Sequence, residues 1–304
     1  MQKKHPNNEM LASQFLDESR KLSKGRFTRF MIAPLRLIAI KLYIKLGVIK
    51  AKSLPLNFGG LTFFGMIPEA VSSVIWRFGF FDPKTSYIVS KSLPKGGVFI
   101  DVGAHFGYFS LLGSECVGDS GRVVSIEAMP STFNHLKENI ENNSLSGICE
   151  VFNLAAYNKE VQLNFNDFGV INSSLNSAFG DRSGKTKLER INTVNIEAKP
   201  LDIIVKQLQL SRIDLIKIDA ESSEYFVISG LIETLQQFKP NVIVELGDIG
   251  VSGAEHSTRD IIDLMMSLGY VCKTFDPSGQ TKAIKLKTEY EYCNVLFEYE
   301  KSLK

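Results

Sequence analysis

The run Val98-Phe-Ile-Asp-Val-Gly-Ala-His-Phe-Gly107 constrains the fold more than any other part of the chain. Apolar residues around one acid read as a strand buried on both faces, which is the habit of strands inside a parallel sheet. Gly103 and Gly107 then make a turn that lets the backbone approach a ligand, and an apolar helix start follows. In open α/β sheets such turns lie at the carboxyl edge, where ligands bind.

The same alternation repeats after Lys91. Val98–Val102, Val123–Glu127, Glu150–Ala155, Ile213–Asp219 and Asn241–Leu246 read as strands, separated by helix-length segments. Pro130 suits an early helical position, with Phe133, Leu136 and Ile140 following on one face. Ser257 and Asp260 form a capping pair for a helix that stops at Gly269. Tyr270–Phe275 and Cys293–Tyr299 read as a closing antiparallel pair, and Val161–Phe165 and Asn192–Ile196 as a pair of outer strands. The expected class is therefore α/β, a doubly wound sheet. The polar stretch of about 166–191 is long for a loop in a compact domain and is expected to act as a lid on the substrate side.

Charge is distributed unevenly. Residues 1–52 hold 12 Lys and Arg against 3 Asp and Glu, whereas the rest of the chain is acidic on balance. Three segments follow: a basic, partly apolar helical arm (1–52), a lead-in rich in Gly, Pro and aromatics that reads as strands or turns (53–95), and the main domain (96–304). Arg29, Arg36, Lys41, Lys45 and Lys50 interrupt the apolar run of the arm without sharing one face, so it reads either as a helix packed on the domain or as an interfacial helix on a membrane. The longest charge-free run, Ser53 to Pro68, is too short and too broken by Gly and Pro to span a bilayer. The first residues lack the apolar core of a secretory signal, and the four scattered cysteines show neither a zinc nor a disulfide spacing. A cytoplasmic protein, peripheral to the membrane at most, is expected.

Glu127 ends the second strand, where a carboxylate accepts the ribose hydroxyls of a bound nucleoside. The glycines are spaced GxxxG rather than GxGxxG, and Asp101 is expected to point into the turn. An acid there repels a pyrophosphate but suits the ammonium and sulfonium of S-adenosylmethionine. A second acidic cluster, Asp219, Glu221 and Glu224, follows the strand from Ile213, and Glu245 closes the neighbouring strand. Glu221 and Glu224 also suit a purely structural place at a helix N-terminus.

These residues resemble the FkbM-type methyltransferases. The likeness covers about 96–250 and rests on DVGAHFGYFS from Asp101, on Glu127 followed by Pro130, on the helix ending in Asn142 and Asn143, and on KIDAESSE from Lys217. It implies a Rossmann-like seven-stranded sheet, here with an N-terminal helical extension, and S-adenosylmethionine as donor for O-methylation of sugars, lipids or secondary metabolites. Ser222 stands where the family has Gly, His105 where Asn is frequent, and Ala128 where Pro is usual. The cofactor-binding set expected is Asp101, Gly103, Ala104, His105, Gly107, Glu127 and Ala155. Asp219 is expected as catalytic base or orienter, with Glu221 and Glu245 as further catalytic candidates.

The acceptor expected is a hydroxyl on a small molecule or glycan. Three carboxylates at one edge also suit a divalent metal, a route not favoured over direct base catalysis. Two other readings stay open: an NAD- or nucleotide-binding oxidoreductase, and a catalytically inactive membrane-associated binding protein. No nucleic-acid partner is expected, because no basic stripe extends along the catalytic edge.

Overall fold

Runs rich in Val and Ile, alternating with helix-length segments, build one twisted central sheet with helices on both faces. The computed structural model describes residues 7–176, 192–248 and 255–300. In chain order the arm forms α1 (Asn8–Ser23), α2 (Arg26–Met31) and α3 (Pro34–Leu46), and the lead-in forms β1 (Lys50–Pro55), β2 (Thr62–Ile67), α4 (Ala70–Phe78) and α5 (Pro83–Ser92). The domain continues with β3 (Val98–Val102), α6 (Tyr108–Val117), β4 (Arg122–Glu127), α7 (Pro130–Asn142) and β5 (Cys149–Asn153). Then come β6 (Ala155–Ala156), β7 (Val161–Asp167), β8 (Asn192–Lys199), α8 (Leu201–Gln207), β9 (Leu215–Ile218), α9 (Glu224–Ser229) and α10 (Ile232–Phe238). The chain closes with β10 (Asn241–Leu246), α11 (Thr258–Ser267), β11 (Tyr270–Phe275), β12 (Thr281–Ala283) and β13 (Cys293–Tyr299).

The central sheet runs β12-β11-β13-β10-β9-β3-β4-β5. β5, β4, β3, β9 and β10 are parallel, and β13 lies antiparallel between β10 and β11. The seven expected strands are thus present, in a Rossmann-like α/β arrangement, and the short β12 adds an eighth at the edge. From β3 the chain first builds outward through β4 and β5, then returns to lay β9 on the other side of β3. That reversal is a topological switch point, and it brings the carboxyl ends of β3 and β9 together. Alternate residues of β3 enter different cores, Phe99 on one face and Val98, Ile100 and Val102 on the other, which is why the strand reads as continuously apolar.

Three parts differ from the sequence reading. The run Glu150–Ala155 is not one strand: β5 ends at Asn153, and Ala155 belongs to β6, which pairs with β8 in a separate sheet of β6, β8 and β7. Residues 70–78 are helical rather than extended despite their β-branched and aromatic content. The Glu69 carboxylate caps the helix, accepting from the Val71 and Ser72 amides and from Ser72 Oγ. The boundary drawn between 52 and 53 falls inside β1. The arm's first helix is also built into the body: Leu11 and Phe15 are buried, and the Asn8 amide donates to the carbonyls of Leu93 and Cys116.

The strand β2 is held by two asparagines, Asn139 in α7 and Asn143 at its C-cap. Asn139 accepts from the Phe64 amide and donates to the carbonyls of Phe64 and Phe106, while Asn143 exchanges hydrogen bonds with both backbone groups of Thr62. Two side-chain amides thus stand in for a neighbouring strand. Because Asn139 is fully buried, Asn139→Ala leaves backbone groups without partners, and we expect a loss of about 2–3 kcal/mol of stability in urea unfolding.

Candidate active site

A cavity of about 230 Å³ opens at the carboxyl edge over the switch point. Its floor is the turn after β3. Gly103 sits at φ 71°, and a Cβ there would lie 1.8 Å from the Asp219 carbonyl oxygen, so only glycine lets the β3 and β9 turns touch. The amides of Gly103 and Ala104 both donate to the Ile126 carbonyl, and the Asp219 amide donates to the Val102 carbonyl, tying three strand ends into one platform.

Of the expected cofactor residues, Gly103, Ala104, His105, Glu127 and Ala155 line the cavity. Glu127 receives one backbone amide on each carboxylate oxygen, from His105 and Met129, both at 2.9 Å. Burial nevertheless pushes its pKa up to about 7, so two amides do not offset its desolvation. A diol donating to this carboxylate supplies what is missing, and the walls beside it, Ile126, Ala128, Met129 and Leu154, are apolar enough for a purine. A nucleoside fits this end of the cavity. Hydroxyl donors favour the ionised carboxylate, so affinity should rise with pH through about 7 and level off above it. Between about pH 8 and pH 5.5 we expect roughly a thirtyfold loss of nucleoside affinity in calorimetric titration. Glu127→Gln should bind weakly and without that slope.

Asp101 is a correction. It is fully buried but does not line the cavity: it shares a sheet face with Phe99, and its Oδ2 accepts from Ser110 Oγ of α6 at 2.7 Å. Its cross-strand neighbour on β9 is Lys217, so its charge faces a cation of the protein rather than the cavity. Gly107 also lies outside the lining. Its positive φ of 92° starts α6, and a Cβ there would meet Leu136 at 2.6 Å, which makes it a packing residue.

Asp219, Glu221 and Glu245 all reach the cavity, and among them stands a residue to which the sequence reading gave no role. Lys217 is 2% exposed, its Nζ is 3.0 Å from Asp219 Oδ2, and it lies over the Phe109 ring. Burial alone lowers its pKa, but Asp219, Asp101 and Glu245 around it outweigh burial and raise it, so the ammonium stays charged. Among the described residues no three His, Cys, Asp or Glu side chains converge as metal ligands, and the cation within this carboxylate group is Lys217. The donor set does not fit a divalent metal.

Glu224 is structural. Its Oε1 accepts from the amides of Ala220 and Ser222 and pins the turn after β9, where Glu221 and Ser222 take positive φ of 48° and 76°. Two further walls come from outside the strand ends. The lead-in supplies Val71 and Phe81, and the short 3-10 turn Val170–Leu175 supplies Ser173, whose hydroxyl hydrogen-bonds His105 Nε2 at 2.7 Å. Burial lowers the His105 pKa, and the ring stacks on Phe106. From the stretch expected to form a lid, Ser173 and Asn176 line the cavity, and residues 177–191 lie outside the described residues. Trp76 is not part of the site, and it stacks on Tyr43 of α3.

Residues 101–272 match the family described as methyltransferase FkbM domain. The chain belongs to this family. An FkbM-domain assignment agrees with the position of the cavity, since the matched span contains the carboxyl end of β3 and all of β4, β9 and β10. One relative is the protein named Methyltransferase 1 of Beauveria bassiana (strain ARSEF 2860), 26% identical over 168 residues, which are 51% of this chain and 66% of that protein. Among solved structures, the methyltransferase FkbM from Methylobacillus flagellatus KT aligns at 17% identity with a TM-score of 0.41, over 68% of this chain and 44% of that one. The O-methyltransferase from Bacillus cereus in complex with SAH aligns at 14% identity with a TM-score of 0.40, over 70% of this chain and 78% of that one. The chain thus covers under two-thirds of the Beauveria bassiana relative and under half of the Methylobacillus protein.

Proposed function

We propose that this FkbM-family chain transfers a methyl group from S-adenosylmethionine to a hydroxyl oxygen of a small-molecule, sugar or lipid-linked glycan acceptor. The observation that carries the reading is one cavity with two chemically different ends. Glu127 and apolar walls suit the nucleoside, and at the other end Asp219 and Glu245 stand near Lys217, with Glu221 also lining the wall. The acidic end also suits the cationic part of the donor, a part the notion of a pyrophosphate ligand does not supply.

Bound S-adenosylmethionine supplies an activated methyl on a positively charged sulfur. The protein's task is then to align an acceptor oxygen with that carbon and to take the proton which the hydroxyl loses as the C–O bond forms and the C–S bond breaks. Asp219 is the base in this reading: it lies at the cavity wall, and Lys217 holds its Oδ2 in one orientation. Glu221 and Glu245 flank the acceptor side. Ser173 and Phe165 line the same cavity and would limit water around the reacting atoms.

The test uses S-adenosylmethionine carrying a labelled methyl and a panel of hydroxylated acceptors. Label should pass to oxygen in at least one acceptor, with a fall of about 100-fold or more in rate for Asp219→Asn while donor binding stays within a few fold. Transfer only to nitrogen or carbon acceptors, or full activity in Asp219→Asn, overturns the O-methylation reading or the role of Asp219 respectively.

A further inference from the structure

The segment from Lys24 to Pro68 holds eight Lys and Arg and no Asp or Glu. Its helices also carry much of the exposed apolar surface of the chain: Phe27, Leu35, Ile38, Leu42 and Leu46 are each about half exposed or more, Leu35 at 79%. Spacings of three, four and four place Leu35, Ile38, Leu42 and Leu46 on one face of α3. Lys41 and Lys45 flank that stripe and are solvent-exposed.

The rotation of α3 is fixed by its other face. Ile40 is buried, Tyr43 stacks on Trp76 with ring planes 3° apart, and the Arg36 guanidinium donates to the Trp76 carbonyl. With its inner face already used, the leucine stripe is held outward by contacts rather than left to chance. A solvated helix has no need of such a stripe, and a contiguous apolar patch on a soluble body marks an interaction surface.

We propose that α2 and α3 form a docking face for an anionic lipid bilayer, lying in the interface plane with the Leu35–Leu46 stripe among the acyl chains and the lysines at the headgroups. The charge decides among occupants. A two-fold pairing of two copies through this face brings Lys41 and Lys45 of each together, with no acid anywhere between Lys24 and Pro68 to meet them. A nucleic acid answers the cations but not the leucines. An anionic membrane answers both, since lysine stems lie along the apolar surface while their ammonium groups reach the phosphates. No helix among the described residues is long and apolar enough to cross a membrane, and α3, with 13 residues, lies on the surface rather than through it.

The experiment is co-sedimentation of the full chain with vesicles of phosphatidylcholine alone, or with a third phosphatidylglycerol. Binding is expected to the anionic vesicles, weakly or not at all to the neutral ones, and to weaken between about 0.1 M and 0.5 M salt. Lys41→Gln with Lys45→Gln should lower partitioning roughly fivefold per cation, and Leu35→Ser with Leu42→Ser roughly tenfold per leucine. These side chains are exposed, so thermal melts of both variants should match the parent. The proposal is overturned if the chain stays in solution with both vesicle types, or if the leucine pair leaves binding unchanged. It is equally overturned if sedimentation velocity shows a dimer that the leucine pair splits while vesicles are ignored, since the occupant is then a second copy.

Discussion

Lys217→Met should destabilise the protein by about 3–5 kcal/mol, the usual cost of removing one partner from a buried ion pair. The side chain is 3% exposed and is the cation in a group that includes Asp101, Asp219 and Glu245, so its loss leaves negative charge at the carboxyl edge without an answer. The sign with pH follows. Carboxylates deprived of their cation have raised pKa values in the folded variant, so its stability is best at low pH and declines as pH rises. Urea unfolding should show a gap from the parent that is wide at about pH 7.5 and narrower at about pH 5. Lys217→Met combined with Asp101→Asn should recover part of the loss, because a fully buried carboxyl is then neutral in both pH regimes. A gap independent of pH would mean that Lys217 contributes packing against Phe109 rather than charge.

Gly103→Ala should be as damaging, through backbone geometry. An L-residue at φ 71° costs about 1–2 kcal/mol, and the new Cβ must displace the Asp219 carbonyl from 1.8 Å. The carbonyl is backbone and cannot swing aside, so the β9 turn moves and carries Asp219 with it. We expect at least about 3 kcal/mol of lost stability together with a loss of nucleoside binding of about 100-fold. Gly147 is the control: a Cβ there meets nothing within 4 Å, and Gly147→Ala should stay within about 0.5 kcal/mol of the parent in the same melts.

Much of this site is local, and that part was legible in the sequence. Gly103, Glu127 and Asp219 end strands whose apolar runs announce themselves, and the acidic or glycine residue at a strand end is readable without knowing the neighbours. Lys217 was not legible, because a lysine inside Leu215–Ile218 has meaning only once the sheet order puts β3 and β10 on either side of it. Asp101 fails for the same reason. A period of two says that Asp101 and Val102 face opposite ways, but not which face is covered by α6 and Ser110. The contribution of Val71 and Phe81 depends on how the lead-in docks, and the helix at 70–78 is started by the Glu69 cap and packs Ile75 into the core, neither of which its propensity announces. The burial of α1 did leave a signal, Leu11 and Phe15 at helical spacing, within a segment whose overall polarity pointed outward.

On the proposed function, the cavity over the β3–β9 switch point holds S-adenosylmethionine with Glu127 on its ribose. Calorimetric titration of the chain with S-adenosylhomocysteine and with NAD, in the parent and in Glu127→Gln, tests it most directly. Binding of S-adenosylhomocysteine is expected in the range of about 1–100 μM, with a loss of tenfold or more in Glu127→Gln and no comparable binding of NAD. Preference for NAD, or S-adenosylhomocysteine binding that Glu127→Gln leaves unchanged, would contradict it.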